Sequence, residues 1–107
     1  FPHHYWYDEK WQELWVPVWG YKDGSGDIVE TWTYRIDVSG TDVSKVIGVY
    51  DTGVGGAHVN VSYPLDLVVI TNHFDHWVDI IHRGTGQQWR VRVTDEGDHV
   101  AGIGKWN

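Results

Sequence analysis

The chain of 107 residues contains no cysteine, no methionine and only three prolines, and its cations are few, 8 Lys and Arg against 15 Asp and Glu. Each shortage excludes something. Without cysteine, neither a disulfide framework nor a thiolate zinc site can hold the fold, so stability must come from packing, and the redox compartment is not revealed. The formal net charge of −7 with histidine neutral argues against a nucleic acid partner, because phosphate contacts need clustered Lys and Arg. Apolar runs are only a few residues long, far short of the ~20 that a membrane-crossing helix needs. No basic stretch followed by an apolar core opens the sequence and the initiator methionine is missing, as expected of a mature or trimmed product. The length suits one domain, residues 1–107, with one core.

Tryptophan is what the chain has in excess. Eight Trp and an aromatic content of 15% predict that some indoles face a partner, since Trp is rarely fully buried and is common on interfaces and sugar-stacking surfaces.

Residues 1–15 carry the one helical spacing. Tyr7, Trp11, Leu14 and Trp15 fall at i, i+4, i+7 and i+8 on one face, Asp8 is placed to cap, and Pro17 ends the helix for want of an amide proton. A helix this short is marginal in water, so its aromatic face must lie on the domain or on a second subunit. From Trp15 onward the period is two. Strands are expected at 15–21, 28–38, 43–50, 57–63, 65–70, 77–82, 88–94 and 99–106, broken by Gly-rich and Asp-rich turns. In 28–38, Trp32, Tyr34, Ile36 and Val38 alternate with Thr31, Thr33, Arg35 and Asp37. The continuous apolar run 65–70 reads as a central strand covered on both faces. Seven or eight short strands with turns about every 8–12 residues predict an all-β sandwich of immunoglobulin or fibronectin type III kind, with a short amino-terminal helix.

Motifs for chemistry are weak. Asp23, Ser25 and Asp27 sit at the spacing of the first calcium ligands of an EF-hand, but the required Gly is missing and Tyr34 occupies the twelfth position. A polar hairpin turn explains them. His73 and His76, with Asp75 between them, form the densest candidate metal or hydrolytic cluster, yet residues three apart on a strand face opposite ways. His3 and His4 read as an incidental terminal pair. There is no Cys nucleophile and no Gly-x-Ser-x-Gly elbow, so an enzyme is not expected and no cofactor is called for. The sequon Asn60-Val61-Ser62 is an acceptor only in a secretory pathway. Trp32 and Trp89, on alternating strands, read as core or half-buried packing. Trp19, beside a turn, and Trp106, next to the last residue, are the candidates for exposure, and a flat indole suits the apolar face of a sugar ring.

Residues 6–20, ending Pro17-Val18-Trp19-Gly20, the strand 32–40 with Tyr34-Arg35-Ile36-Asp37-Val38, the positions Gly55 and Val59-Asn60, and the ending Ile103-Gly104-Lys105-Trp106-Asn107 together resemble the fungal immunomodulatory proteins of the Fve type. The pieces cover about two thirds of the chain; the loop after Gly20 is shorter than the family's, and 66–86 holds a His-bearing segment outside its pattern. The resemblance implies a fibronectin type III-like sandwich and a non-covalent homodimer paired through the amino-terminal helix, with Tyr7, Trp11, Leu14 and Trp15 at the interface. It implies lectin-like recognition of cell-surface glycans, stimulation of immune cells, and an extracellular or released protein. Carried over by residue, Trp19 and Trp106 would bind carbohydrate, with Asp27 in the adjacent turn beside them. The alternatives are a small hydrolytic or metal-dependent enzyme using His73, Asp75 and His76, or a structural subunit whose Trp faces serve assembly.

Overall fold

The two-residue period continues into the amino-terminal segment from Trp6, and nine strands form among the described residues. The computed structural model describes residues 4–21, 28–40, 44–53, 56–72, 77–93 and 104–106, with the backbone path alone for 19–21, 28–30, 57 and 104–106. In chain order the strands are β1 (Trp6–Asp8), β2 (Glu13–Tyr21), β3 (Ile28–Asp37), β4 (Lys45–Thr52), β5 (Gly56–Ser62), β6 (Leu67–Asn72), β7 (Trp77–His82), β8 (Gln88–Arg92) and β9 (Gly104–Trp106). One sheet has the order β1-β2-β3-β4 and the other β8-β7-β6-β5-β9. All neighbours are antiparallel except β9, which runs parallel to β5. The run expected to be a central strand, β6, is the middle strand of its sheet.

The amino-terminal helix is not there. Trp6 pairs with Trp15 and Tyr7 with Leu14 across a hairpin whose turn holds Gln12 at φ 54°. Asp8 does cap, but it caps this turn: its Oδ1 accepts the Trp11 N–H at 2.9 Å. A helix of this length gains little by itself, whereas aromatic residues suit a pleated, half-buried strand. Adding β1 to the sheet also lets Asp8 and Trp15 be buried. The four residues expected to share a dimer-forming helix face are therefore dispersed. Trp15 is fully buried, Trp11 packs half-buried against the core, Leu14 is half-buried and Tyr7 is 48% exposed. Pro17 is tolerated inside β2 because β1 reaches only to Trp15, so among the described residues β2 is an edge on that side and no strand there needs the missing N–H.

The strand order also departs from the immunoglobulin pattern. There, strands A, B, E and D fill one sheet and C, F and G the other, so the chain moves back and forth between sheets. Here β1–β4 complete one sheet before β5–β8 build the second. The two sheets stack as a sandwich through a core of Trp15, Val59, Val61, Val68, Ile70 and Ile81, with Trp6, Trp11, Tyr50 and Tyr63 packed against it.

The first sheet turns an unusual face inward. Glu13, Thr31, Thr33 and Thr52 are buried beside Trp15 and Pro17, while Leu14, Val16, Val18, Trp32, Tyr34 and Ile36 stay half-exposed on the outer side. Polar groups survive inside because they pair. The Thr33 and Thr52 hydroxyls bond at 3.2 Å and Thr31 Oγ1 accepts the Gly56 N–H at 3.4 Å. A Cβ on Gly56 would stand 2.9 Å from Thr31 Cγ2 and 3.3 Å from Pro17 Cβ, so glycine lets the two sheets meet there.

Candidate functional site

Three carboxylates organise the interior. Glu13 accepts from Arg35 Nε at 3.0 Å and its terminal nitrogen at 2.7 Å, from Arg83 Nε at 2.9 Å and from Trp15 Nε1 at 3.3 Å. Arg35 also donates to the Arg83 carbonyl at 3.1 Å, so β2 and β3 are bolted to the turn after β7. Burial alone would lower the Arg35 pKa, but its bonds to Glu13 and Tyr50 and their charges raise it. These groups hold the sheets together.

Asp8 is a second such centre. Besides Trp11 N–H, it accepts from Trp6 Nε1 at 3.1 Å and from the Tyr63 hydroxyl at 2.8 Å. Burial pushes its pKa up, and these hydrogen bonds outweigh that and hold it below the ordinary aspartate value. Burial, then the bond to Asp8 and the charges of Asp8 and Glu9, push Tyr63 up to about 12. The signs follow. The Asp8 contribution is complete above the unfolded aspartate pKa and is lost as pH falls through the depressed folded value. The Tyr63 contribution is complete below the unfolded value of 10.0 and is lost as pH rises toward 12. Wild type should thus lose stability between those two pH values more steeply than Tyr63→Phe in urea unfolding; parallel curves would rule out this assignment.

Beside Asp8, a hollow of about 200 Å³ is lined by Trp6, Tyr7, Asp8, Glu9 and Tyr63. Its buried carboxylate is already spent. A larger cleft of about 340 Å³ opens at β8, an end strand among the described residues, and is lined by Asp51, Asp79, Gln88, Trp89 and Arg90. Asp79 is its buried anchor: it accepts from Gly53 N–H at 2.6 Å, Asn72 Nδ2 at 2.9 Å and Arg90 Nε at 3.0 Å. The Gln88 side-chain amide donates to the Asp51 carbonyl, tying β8 to the end of β4. This leaves the Asp51 carboxylate, Gln88 Oε1 and the rest of the half-exposed Arg90 guanidinium without a partner among the described residues. Trp89, which alternates with Gln88 and Arg90 along β8, also lines the cleft and is 42% exposed. The lining matches the volume of a small-molecule site, about 300–1,000 Å³, with a few convergent polar groups.

The residues expected to bind carbohydrate fall elsewhere. Trp19 lies opposite Thr31, at the Gly56 end of β5, whereas Trp106 pairs with Ser62 at the other end. The length of β5, about 20 Å at ~3.3 Å per residue, separates their backbones. Asp27, the loop with Asp23 and Ser25, and the cluster His73, Asp75 and His76 lie outside the described residues. Among the described residues no three His, Asp or Glu side chains converge as a metal site would require. His4 is exposed and stacks on His58 at 4.5 Å, and Asn60 of the sequon is half-buried on β5. Sequence reasoning passed over Trp89 because it sits on a regular alternating strand. The available signal was the Arg90 and Arg92 alternation around it, a charge pattern typical of an edge strand. Compared with protein-family models, characterised proteins and solved structures, the chain finds no match.

Proposed function

We propose that this protein is a lectin-like binding protein, without catalytic activity, whose sugar site is the cleft at the β8 edge. One observation carries the reading: Trp89, 42% exposed, counts among the lining residues of a cleft that also holds the Asp51 carboxylate and the Gln88 side-chain carbonyl, both without a partner among the described residues, and the guanidinium N–H groups of Arg90. The indole offers an apolar face for a pyranose ring. Asp51 and Gln88 accept hydrogen bonds from sugar hydroxyls and Arg90 donates to them. Two aspartates against one arginine in the lining disfavour an acidic sugar, so the ligand is a neutral saccharide. The resemblance to the fungal immunomodulatory proteins adds a cell-surface glycan as the natural form of that ligand and immune-cell stimulation as its consequence.

Titration calorimetry with neutral oligosaccharides chosen from a glycan array tests the site. Trp89→Ala should weaken binding at least about tenfold, equivalent to ~1.4 kcal/mol, while Trp19→Ala leaves it unchanged. If no neutral saccharide binds, or if Trp19→Ala removes binding and Trp89→Ala does not, the reading is wrong.

A further inference from the structure

Of the three buried carboxylates among the described residues, two face cations: Glu13 meets Arg35 and Arg83, and Asp79 meets Arg90. Asp8 does not. It is 1% exposed, and among the described residues no Lys, Arg or His forms an ion pair with it. Its donors are all neutral: the backbone N–H groups of Trp11 and Lys10, the Trp6 indole N–H and the Tyr63 hydroxyl. Four donors fill the roughly four lone-pair positions of a carboxylate. The acceptor sites are used up while the negative charge stays uncompensated.

The hollow of about 200 Å³ lies beside this charge. Trp6 and Asp8 share one face of β1, and the Trp6 indole N–H and the Tyr63 hydroxyl converge on the same oxygen, Asp8 Oδ2, at 3.1 and 2.8 Å. Two aromatic side chains therefore flank the carboxylate, and both residues line the hollow. Glu9, exposed and without a partner among the described residues, brings a second negative charge to the lining. Aromatic faces attract cations through the ring quadrupole. The chain displays this itself, for Lys10 Nζ lies 4.5 Å from the centre of the Tyr63 ring.

Which cation fits follows from the hydrogen bonds. A primary ammonium or a guanidinium entering the hollow needs acceptors for its N–H groups. Asp8 has none left, and a pair with the exposed Glu9 gains little in water. A quaternary ammonium carries no N–H and asks only for negative potential and apolar contact. The volume falls below the about 300–1,000 Å³ of drug-sized sites and so suits a group of a few heavy atoms. A phosphate on the same ligand would be repelled by Asp8 and Glu9.

We propose that the hollow beside Asp8 binds a small quaternary ammonium of the choline type, without an attached phosphate. β1 and β4 are opposite ends of the first sheet, and the β8 cleft adjoins β4, so this site is separate from the sugar cleft.

Titration calorimetry and tryptophan fluorescence with choline should show one site with a dissociation constant of about 1 mM or tighter. Ethanolamine keeps the alcohol but has a primary ammonium, and the carbon analogue of choline, with a tert-butyl group in place of the trimethylammonium, keeps the shape but has no charge. Each should bind at least about tenfold more weakly, and so should phosphocholine. Glu9→Lys, at an exposed position, should weaken choline binding by a similar factor. Trp6→Leu should do so too, with circular dichroism reporting whether that variant is folded. No binding up to about 10 mM choline, an analogue or ethanolamine that binds as tightly, phosphocholine that binds more tightly, or an unchanged affinity in Glu9→Lys would each overturn the proposal. The ligand series on wild type decides the matter even if Trp6→Leu does not fold.

Discussion

Replacing Glu13 by alanine is expected to lower the unfolding free energy by about 3–5 kcal/mol, the cost of removing one member of a buried ion pair. Globular domains are stable by only about 5–15 kcal/mol, so this variant should be largely unfolded under mild denaturing conditions. The cause is what is left behind. Glu13 has a side-chain exposure of 4%, and its guanidinium partners Arg35 and Arg83 have 17% and 25%. Without the carboxylate, two partly buried cations and the Trp15 indole N–H lose their acceptor. The arginines do keep other contacts: Arg35 lies over Trp15 at 5.7 Å, and Arg83 lies over Trp11 at 4.6 Å and pairs with Asp66 at 3.5 Å. These limit the loss to the stated range. Guanidinium chloride unfolding followed by far-ultraviolet circular dichroism measures it. The triple variant Glu13→Leu, Arg35→Met, Arg83→Met should be more stable than Glu13→Ala, because it removes the buried charges together with their partner. If Glu13→Ala unfolds within about 1 kcal/mol of wild type, where surface ion pairs fall, the network does not hold the sheets together.

Trp15→Ala should cost a comparable ~3–5 kcal/mol, the usual range for emptying a large aromatic site in a core. Trp15 is fully buried, stacks on Tyr50 at 5.7 Å with the rings 17° apart, and is the first sheet's main contribution to the apolar cluster. Its surroundings on β2 and β3 are Glu13, Thr33 and Arg35, which cannot collapse into the space without burying polar groups apolarly. Trp15→Phe should recover part of the loss. The same variant distinguishes the hairpin from the helix that the sequence predicts. On a dimer-forming helix face, Trp15→Ala would shift the oligomeric state and spare the stability of the monomer. In the hairpin it lowers the unfolding midpoint of the monomer at concentrations too low for any association.

Much of the architecture was legible locally. The strand expected at 77–82 is β7 without change, those expected from 15–21 to 88–94 are found with ends moved by up to two residues, and of 99–106 the described part, 104–106, is strand, because turn residues and a period of two are properties of neighbouring side chains. The amino-terminal segment misled for the same reason. Tyr7, Trp11, Leu14 and Trp15 satisfy a helical spacing locally, while the competing gain, a place in a four-stranded sheet above five buried aliphatic side chains of the other, is made by residues more than forty positions away. The candidate site was less legible still. Asp51, Asp79 and Gln88 come together only because β4 and β8 meet at one end of the sandwich.

By itself, then, the sequence determined the class and the rhythm: an all-β chain without cross-links, its strands and turns in order, with more tryptophan than one core needs. Only the tertiary structure decided which side of each strand faces inward. The alternation of Trp32, Tyr34 and Ile36 with Thr31, Thr33 and Arg35 is plain in the sequence, yet the apolar set lies on the outer face and the polar set lies inside. Periodicity fixes that two faces differ and leaves open which one is buried. That choice falls to long-range pairing, here Glu13 with Arg35 and Arg83, and the threonine hydroxyls with each other and with Gly56, which satisfies the polar face inside and leaves an apolar face outside.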